Sequence, residues 1–220
     1  MTRTRFLKVS VLAATAALLT GCGLHPGAAA VVGDQTIPAD KVDAVATAFC
    51  STSTPGSPSR GARSTVLAGL IDAEIWKQFG ASEGVSANPS LVDRQLAPVE
   101  QQLKRIPADE RDAFRSALQE VVSGSVIQGE LGRRYLVAHG TANPSPTQAA
   151  AAAGMLRTKF LGTLKVEVDP RFGTFSPKSG TLGTDGGSLS VPASAFALDG
   201  GSPQPSQSWA AILPASQKCG

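Results

Sequence analysis

The hydrophobic positions of this chain follow three rhythms in turn. Residues 9–19 are an almost unbroken apolar run with no polar face, preceded by Arg3, Arg5 and Lys8. Such a run is too short to span the roughly 30 Å of bilayer hydrocarbon as a lone helix. Next, Ala28-Ala29-Ala30-Val31-Val32 and Gln35-Thr36-Ile37 read as two short strands, with Gly33-Asp34 supplying the tight turn between them. Pro38 then opens a helix that Val42, Val45, Ala46 and Phe49 carry to Cys50. From there a 3.6-residue rhythm dominates.

Residues 51–61, rich in Ser, Pro and Gly, predict a loop. The strongest helix is expected over 63–84, where Val66, Leu67, Leu70, Ile71, Ile75, Trp76 and Phe79 cover most of the circumference. A helix apolar on so many sides is a central, buried one. Asn88-Pro89 restarts the chain in capping geometry, and Pro98 is expected to interrupt the helix that follows. Pro107 begins another, with Phe114, Leu118, Val121 and Val122 on one face and a break expected at Ser123-Gly124-Ser125. Gly140 is placed to end the next stretch. Ser145-Pro146-Thr147-Gln148 is a capping box whose helix runs to about Leu161. Leu164-Lys165-Val166-Glu167-Val168 alternates like a half-buried strand. Residues 176–220 read as a mostly irregular tail in which Phe196, Trp209 and Cys219 are the possible pins. Trp209 is expected to be either an exposed contact or an anchor for the tail.

The apolar run near the start ends in Leu19-Thr20-Gly21-Cys22, which looks like a bacterial lipobox. On that reading 1–21 is a cleaved signal peptide and Cys22 carries lipid. Residues 22–27 become a short linker, and the protein is held at the extracytoplasmic face of the cell membrane. The charge balance changes accordingly. The whole chain carries 20 Lys+Arg against 17 Asp+Glu, but three of the basic residues and none of the acids lie in 1–21, leaving 17 of each. Nucleic-acid binding needs a basic stripe, and Arg133-Arg134 is only a local pair; no nucleic-acid partner is expected. With Cys22 taken by lipid, Cys50 and Cys219 form an even pair in an oxidising compartment, and a disulfide between them is expected. Two free thiols or a metal pair are the alternatives, the latter short of partners because the chain has only His25 and His139.

Catalytic chemistry is sparse. Two histidines leave no Ser-His-Asp or Cys-His set. The glycine-rich run from Gly180 to Gly187 lacks the Lys-Ser/Thr ending of a phosphate loop. Asp109, Glu110 and Asp112 open a helix, where acids favour the macrodipole. Trp76 reads as core. The expectation is therefore a protein that is not an enzyme and uses no cofactor and no metal.

The order of these elements carries a resemblance. The stretch from Ala28 to Val42, a strand ending in a glycine turn and followed by a polar-capped helix, resembles the opening of the SurA/PrsA/trigger-factor group of chaperones. Leu67-Ala68-Gly69-Leu70-Ile71-Asp72-Ala73-Glu74-Ile75 is similar to that group's helix of two leucines, an isoleucine and an acid. Ala81-Ser82-Glu83-Gly84-Val85 matches the turn after it, and Ser145-Pro146-Thr147-Gln148 sits where the group resumes with its last helix. The resemblance covers roughly Ala28 to Val168. It implies a mainly α, α+β fold over 28–175: helices beside a small sheet, with Val166 to Val168 returning as a third strand next to the hairpin. It also implies a chaperone-like module that binds unfolded or exported polypeptides. The alternative is an accessory lipoprotein binding one folded partner or a lipid. The group's parvulin isomerase domain has no room here, because the chain passes almost directly from the Gln148 helix to the Val166 strand. Isomerase activity is therefore not expected.

Overall fold

Ala28, Ala29, Ala30 and Val32 carry no polar side chains, and all four are buried. They form β1 (Ala28–Val32), the middle strand of a three-stranded antiparallel sheet. The computed structural model describes residues 26–53, 55–183, 194–200 and 205–219. The expected signal peptide, Cys22 and His25 lie outside these residues, as do Thr184 to Gly187 of the glycine-rich run.

β2 (Gln35–Pro38) pairs with one edge of β1, and β3 (Val166–Val168) with the other. In the second pairing Ala30 faces Val168 and Val32 faces Val166. The Gly33-Asp34 turn is as expected: Gly33 has φ +60°, a left-handed conformation that glycine adopts without steric cost. Gln78 packs under this turn and donates to the Val32 carbonyl at 2.7 Å, in space that a Cβ on residue 33 would occupy.

α1 (Ala39–Thr52) follows without an intervening loop, and α2 (Ser59–Ser82) starts earlier than its apolar pattern implies. The loop expected over 51–61 is correspondingly shorter. α2 is the central helix: Leu67, Ile71, Ile75 and Trp76 are all at most 2% exposed. It packs on α1, β1 and two later helices. Asn88 caps α3 (Pro89–Leu96) by accepting from the Ser90 amide at 3.0 Å. Pro98 then lies in a 3₁₀ turn, Ala97–Val99, which breaks α3 from the single turn of α4 (Glu100–Leu103).

The expected break at Ser123-Gly124-Ser125 does not occur. α5 runs unbroken over Ala108–Ala138, about 46 Å at 1.5 Å per residue. The reason is tertiary. Gly124 is buried against α2, and a Cβ there would stand 2.9 Å from the Ala73 Cα. Glycine at this point lets two backbones approach, which outweighs its local cost of about 1 kcal/mol in a helix. Two turns beyond, α6 (Pro146–Leu161) closes on α5 in the same way, with Gly132 under the Ala149 carbonyl. The capping box of α6 is complete: Ser145 Oγ accepts from the Gln148 amide at 3.2 Å, and Gln148 Oε1 accepts from the Ser145 amide at 2.8 Å.

After β3 the chain is more regular than its composition suggests. β4 (Thr174–Ser176) and β5 (Thr181–Gly183) form a hairpin that straddles the expected boundary after residue 175. Phe175 and Leu182 pack on the central core. α7 (Ala195–Gly200), α8 (Gln207–Ala211) and a last 3₁₀ turn, Ala215–Gln217, follow. The whole is a mainly α protein of the α+β class with a small antiparallel sheet.

Two glycines on α5 separate helix propensity from packing. Gly129 has open space around its missing Cβ, whereas a Cβ on Gly132 would collide with Ala149. Gly129→Ala is expected to stabilise the fold by about 0.5–1 kcal/mol, and Gly132→Ala to destabilise it by about 1–3 kcal/mol. Urea denaturation of both variants measures the opposite signs.

On the exposed face of α5, Arg133 and Arg134 each donate to Glu130 at 2.8 Å. The Arg133 bond, helped by Arg134 and opposed by partial burial, holds the Glu130 carboxyl at about 2, against its ordinary 4.5. A lowered folded pKa stabilises above the ordinary value and is lost on acidification. Glu130→Gln is expected to cost no more than about 1 kcal/mol at neutral pH, because the pair sits at the surface. The difference from wild type should close as pH falls from about 4.5 towards 2, which denaturation curves across that range will show.

Candidate functional site

The register that fixes β2 against β1 leaves β2's other edge unpaired with any strand among the described residues. Gln35 and Thr36 are exposed, and Ile37 alone turns inward to the core. An open cleft of about 640 Å³ runs beside this edge. The opposite walls are the C-terminal half of α2, the turn after it and the middle of α5.

The cleft floor is apolar. Ile37, Leu70, Ala73, Val85 and Ile127 line it and all are buried. Gly124 belongs to the same floor, so the close approach of α5 to α2 sets its depth. Polar side chains form the rim. Lys41 Nζ, from the first turn of α1, donates to both carboxylate oxygens of Glu120 on α5 at 2.7 and 2.8 Å. On α2, Glu74 accepts from Lys77 at 3.4 Å and from Gln78 at 3.0 Å. Lining cations and anions are therefore matched within the site. Such a lining does not attract a strongly charged ligand, and it suits neutral polar backbone with uncharged side chains.

A second polar constellation lies on the other side of α2. Arg157 on α6 donates to Asp72 Oδ1 at 2.6 Å and to the Gly180 carbonyl at 3.1 Å. Trp76 donates through Nε1 to Asp72 Oδ2 at 3.0 Å, and the Arg157 guanidinium lies 5.7 Å from the centre of its ring. The Arg157 side chain is 13% exposed. This cluster fastens the β4–β5 hairpin to α2 and α6. Trp76 is core, as expected, and is also a hydrogen-bond donor.

The structure separates the remaining sequence candidates. Glu110, in the first turn of α5, accepts from Ser51 at 3.0 Å, tying α5 to the end of α1. His139 caps the other end of α5, its ring 4.0 Å from that of Tyr135. Groups of three or more His, Cys, Asp or Glu able to hold a metal are absent among the described residues. Thr181 to Gly183 are strand β5. Trp209 is half-buried and its ring lies tilted against that of Phe196, 5.6 Å between centroids, which makes it an anchor for the tail.

Cys50, near the end of α1, and Cys219 are joined as a disulfide with Cα atoms 4.8 Å apart. Backbone bonds surround it. The Cys219 amide donates to the Ser57 carbonyl and the Gly56 amide to the Cys219 carbonyl, both at 2.7 Å. Lys218 pairs with Pro58 as a one-residue bridge. The tail is thus strapped to the loop between α1 and α2.

These features define a class: a helical module with a strand-edged, charge-balanced cleft and a strapped C-terminal tail. No protein-family model matches the chain, and comparison with curated proteins and with solved structures finds no match either.

The cleft-lining residues were not candidates from sequence, since Ser, Gln, Lys and Glu on helices read as solvated faces.

The disulfide closes a loop of 169 residues, for which the chain-entropy model gives an upper figure of about 4–5 kcal/mol. The double variant Cys50→Ser/Cys219→Ser is expected to lower the denaturation midpoint and to make the tail sensitive to limited proteolysis. The helical signal by circular dichroism should stay near wild type, since α2, α5 and α6 do not depend on the bond.

Proposed function

We propose that this protein is a lipid-anchored, extracytoplasmic module that holds extended segments of exported polypeptides without catalysing a reaction on them. The observation that carries the reading is the free edge of β2 running along an apolar-floored cleft. An exposed strand edge presents unpaired N–H and C=O groups, a template for another extended chain. A bound segment adds to that edge antiparallel or parallel, and alternate side chains drop towards Leu70, Ala73 and Ile127.

The backbone contributes affinity that is independent of sequence, and the floor selects apolar side chains. The edge is short, and Pro38 at its end has no N–H to give. Few hydrogen bonds form, so complexes are weak and exchange fast, as a holding module requires. The balanced rim of Lys41, Glu120, Glu74 and Lys77 disfavours highly charged segments. The motif resemblance read from the sequence of Ala28 to Val168 to the SurA/PrsA/trigger-factor group is in keeping with this reading.

The test uses the chain from residue 22 onward with Cys22→Ser, which retains every described residue. It should suppress aggregation of an unfolded client and bind a labelled apolar peptide. Ser123→Trp, which fills the cleft, should weaken peptide binding about tenfold, or about 1.4 kcal/mol. Met155→Ser, on the exposed face of α6 (62% exposed), should leave it unchanged. No suppression of aggregation at several-fold excess sinks the holding role, and equal binding by both variants moves the site away from the cleft.

A further inference from the structure

The tail carries exposed apolar side chains that the cleft does not use. Phe196 is 48% exposed, Leu198 58% and Ile212 69%. Phe196 and Leu198 lie on α7, and Ile212 caps α8 one turn from Trp209. The ring contact between Phe196 and Trp209 joins the two helices, so these side chains belong to one region.

That region sits at a defined end of the molecule. Trp209 and Leu213 share a crevice with Pro170, Arg171, Phe172 and Gly173. Those residues form the turn that leaves β3, and the Asp169 amide at its start donates to the Ala29 carbonyl at 2.9 Å. The apolar tail is therefore beside the first residues of β1. Five residues lie between Cys22 and Ala28, and the six residue steps of a fully extended chain reach at most about 20 Å. The proposed lipid and the apolar tail leave the domain at the same end.

We infer that Phe196, Leu198 and Ile212, with Trp209 behind them, are a membrane-docking face that seats this end of the domain on the bilayer interface. The inference rests on the proposed anchoring at Cys22. A tether this short holds the face near the surface at about millimolar effective concentration, so a patch too small to bind from solution still docks. Aromatic and aliphatic side chains at an interface insert into the headgroup region. The attraction is apolar rather than ionic. The two arginines lining the crevice are paired, Arg171 with Asp169 at 2.7 Å and Arg63 with Asp43 at 2.8 Å. Lys218 places its Nζ on the Ala211 carbonyl at 2.8 Å, beside Ile212; docking rests on the apolar side chains and does not require anionic lipid.

Tryptophan fluorescence reads this directly, because the chain has only Trp76, buried, and Trp209. The chain from Cys22 onward is coupled through the Cys22 thiol to phosphatidylcholine vesicles bearing a maleimide headgroup lipid; the other two cysteines are bonded to each other. In Trp76→Phe, brominated phosphatidylcholine should at least halve the Trp209 emission. In Trp209→Phe, the Trp76 emission should stay unchanged. Should Trp76→Phe not fold, the difference between wild type and Trp209→Phe gives the same reading. Leu198→Asp/Ile212→Asp should restore the emission while the protein stays coupled, and the quenching of the unaltered face should occur without phosphatidylglycerol. Unquenched Trp209 on coupled vesicles overturns the docking face. The mass of the protein extracted from bacterial envelopes tests the anchor separately: Cys22 without lipid overturns the anchoring and leaves the quenching result to judge the face alone.

Discussion

The pairing of β3 with β1 is the constraint on which the rest of this structure depends. It joins segments separated by strand β2, six α-helices and the turns between them. The entropy of closing so long a loop grows only with the logarithm of its length, so the cost is modest once the helices have packed. The return is local and specific. β1 has both edges filled, and the ladder is extended at each end, by the Gly33 amide on the Lys165 carbonyl and by the Asp169 amide on the Ala29 carbonyl. β1 can then bury four of its five residues without stranding its backbone polar groups. Because β3 takes one side of β1, β2 is left with a free edge, and that edge becomes a wall of the cleft. Because β3 ends beside Ala29, the tail is delivered to the opening end of the sheet.

Features decided by neighbouring residues were legible in the sequence. The Gly33 turn, the Ser145 capping box, the Pro98 interruption and the alternation of 164–168 each follow from chemistry within a few positions. Features decided across space were not. A glycine between two serines signals a break and also permits close helix approach, and only the presence of Ala73 opposite Gly124 chooses between them. The β4–β5 hairpin was hidden for a related reason. Phe175 and Leu182 are isolated apolar residues among Gly, Ser and Thr, with no pattern of their own. Their strands form because Gly173 and Gly180 take positive φ and Arg157 reaches across from α6 to the Gly180 carbonyl. The cleft is harder still to read, since it is space left between elements. Counting cysteines did point to Cys50 and Cys219 as a pair, and the structure joins them.

The strap and the clamp divide the work of holding the tail. The Arg157–Asp72–Trp76 cluster fixes the β4–β5 hairpin, where a Cβ on residue 180 would strike the guanidinium. The disulfide with its Pro58–Lys218 bridge fixes the last residues. Between these two fastenings α7 and α8 hold to each other through Phe196 and Trp209, and Leu213 is buried beneath them. Two separate fastenings allow a tail rich in small residues to present apolar side chains outward without collapsing onto the core.

Helix α2 measures the distance between the two proposed surfaces. Ser59, Arg63 and Ser64, in its first turns, border the crevice under Trp209, whereas Leu70, Ala73, Glu74, Lys77 and Ala81 border the cleft. At 1.5 Å per residue the helix rises about 9 Å from Ser64 to Leu70 and about 25 Å from Ser64 to Ala81. In the proposed arrangement, a domain seated on its tail holds the cleft away from the bilayer by that rise. A polypeptide segment in the cleft and lipid against Phe196 and Ile212 would then engage the C-terminal half and the first turns of one buried helix. In that arrangement neither occupant would exclude the other, and the proposed anchor at Cys22 would keep both near the bilayer.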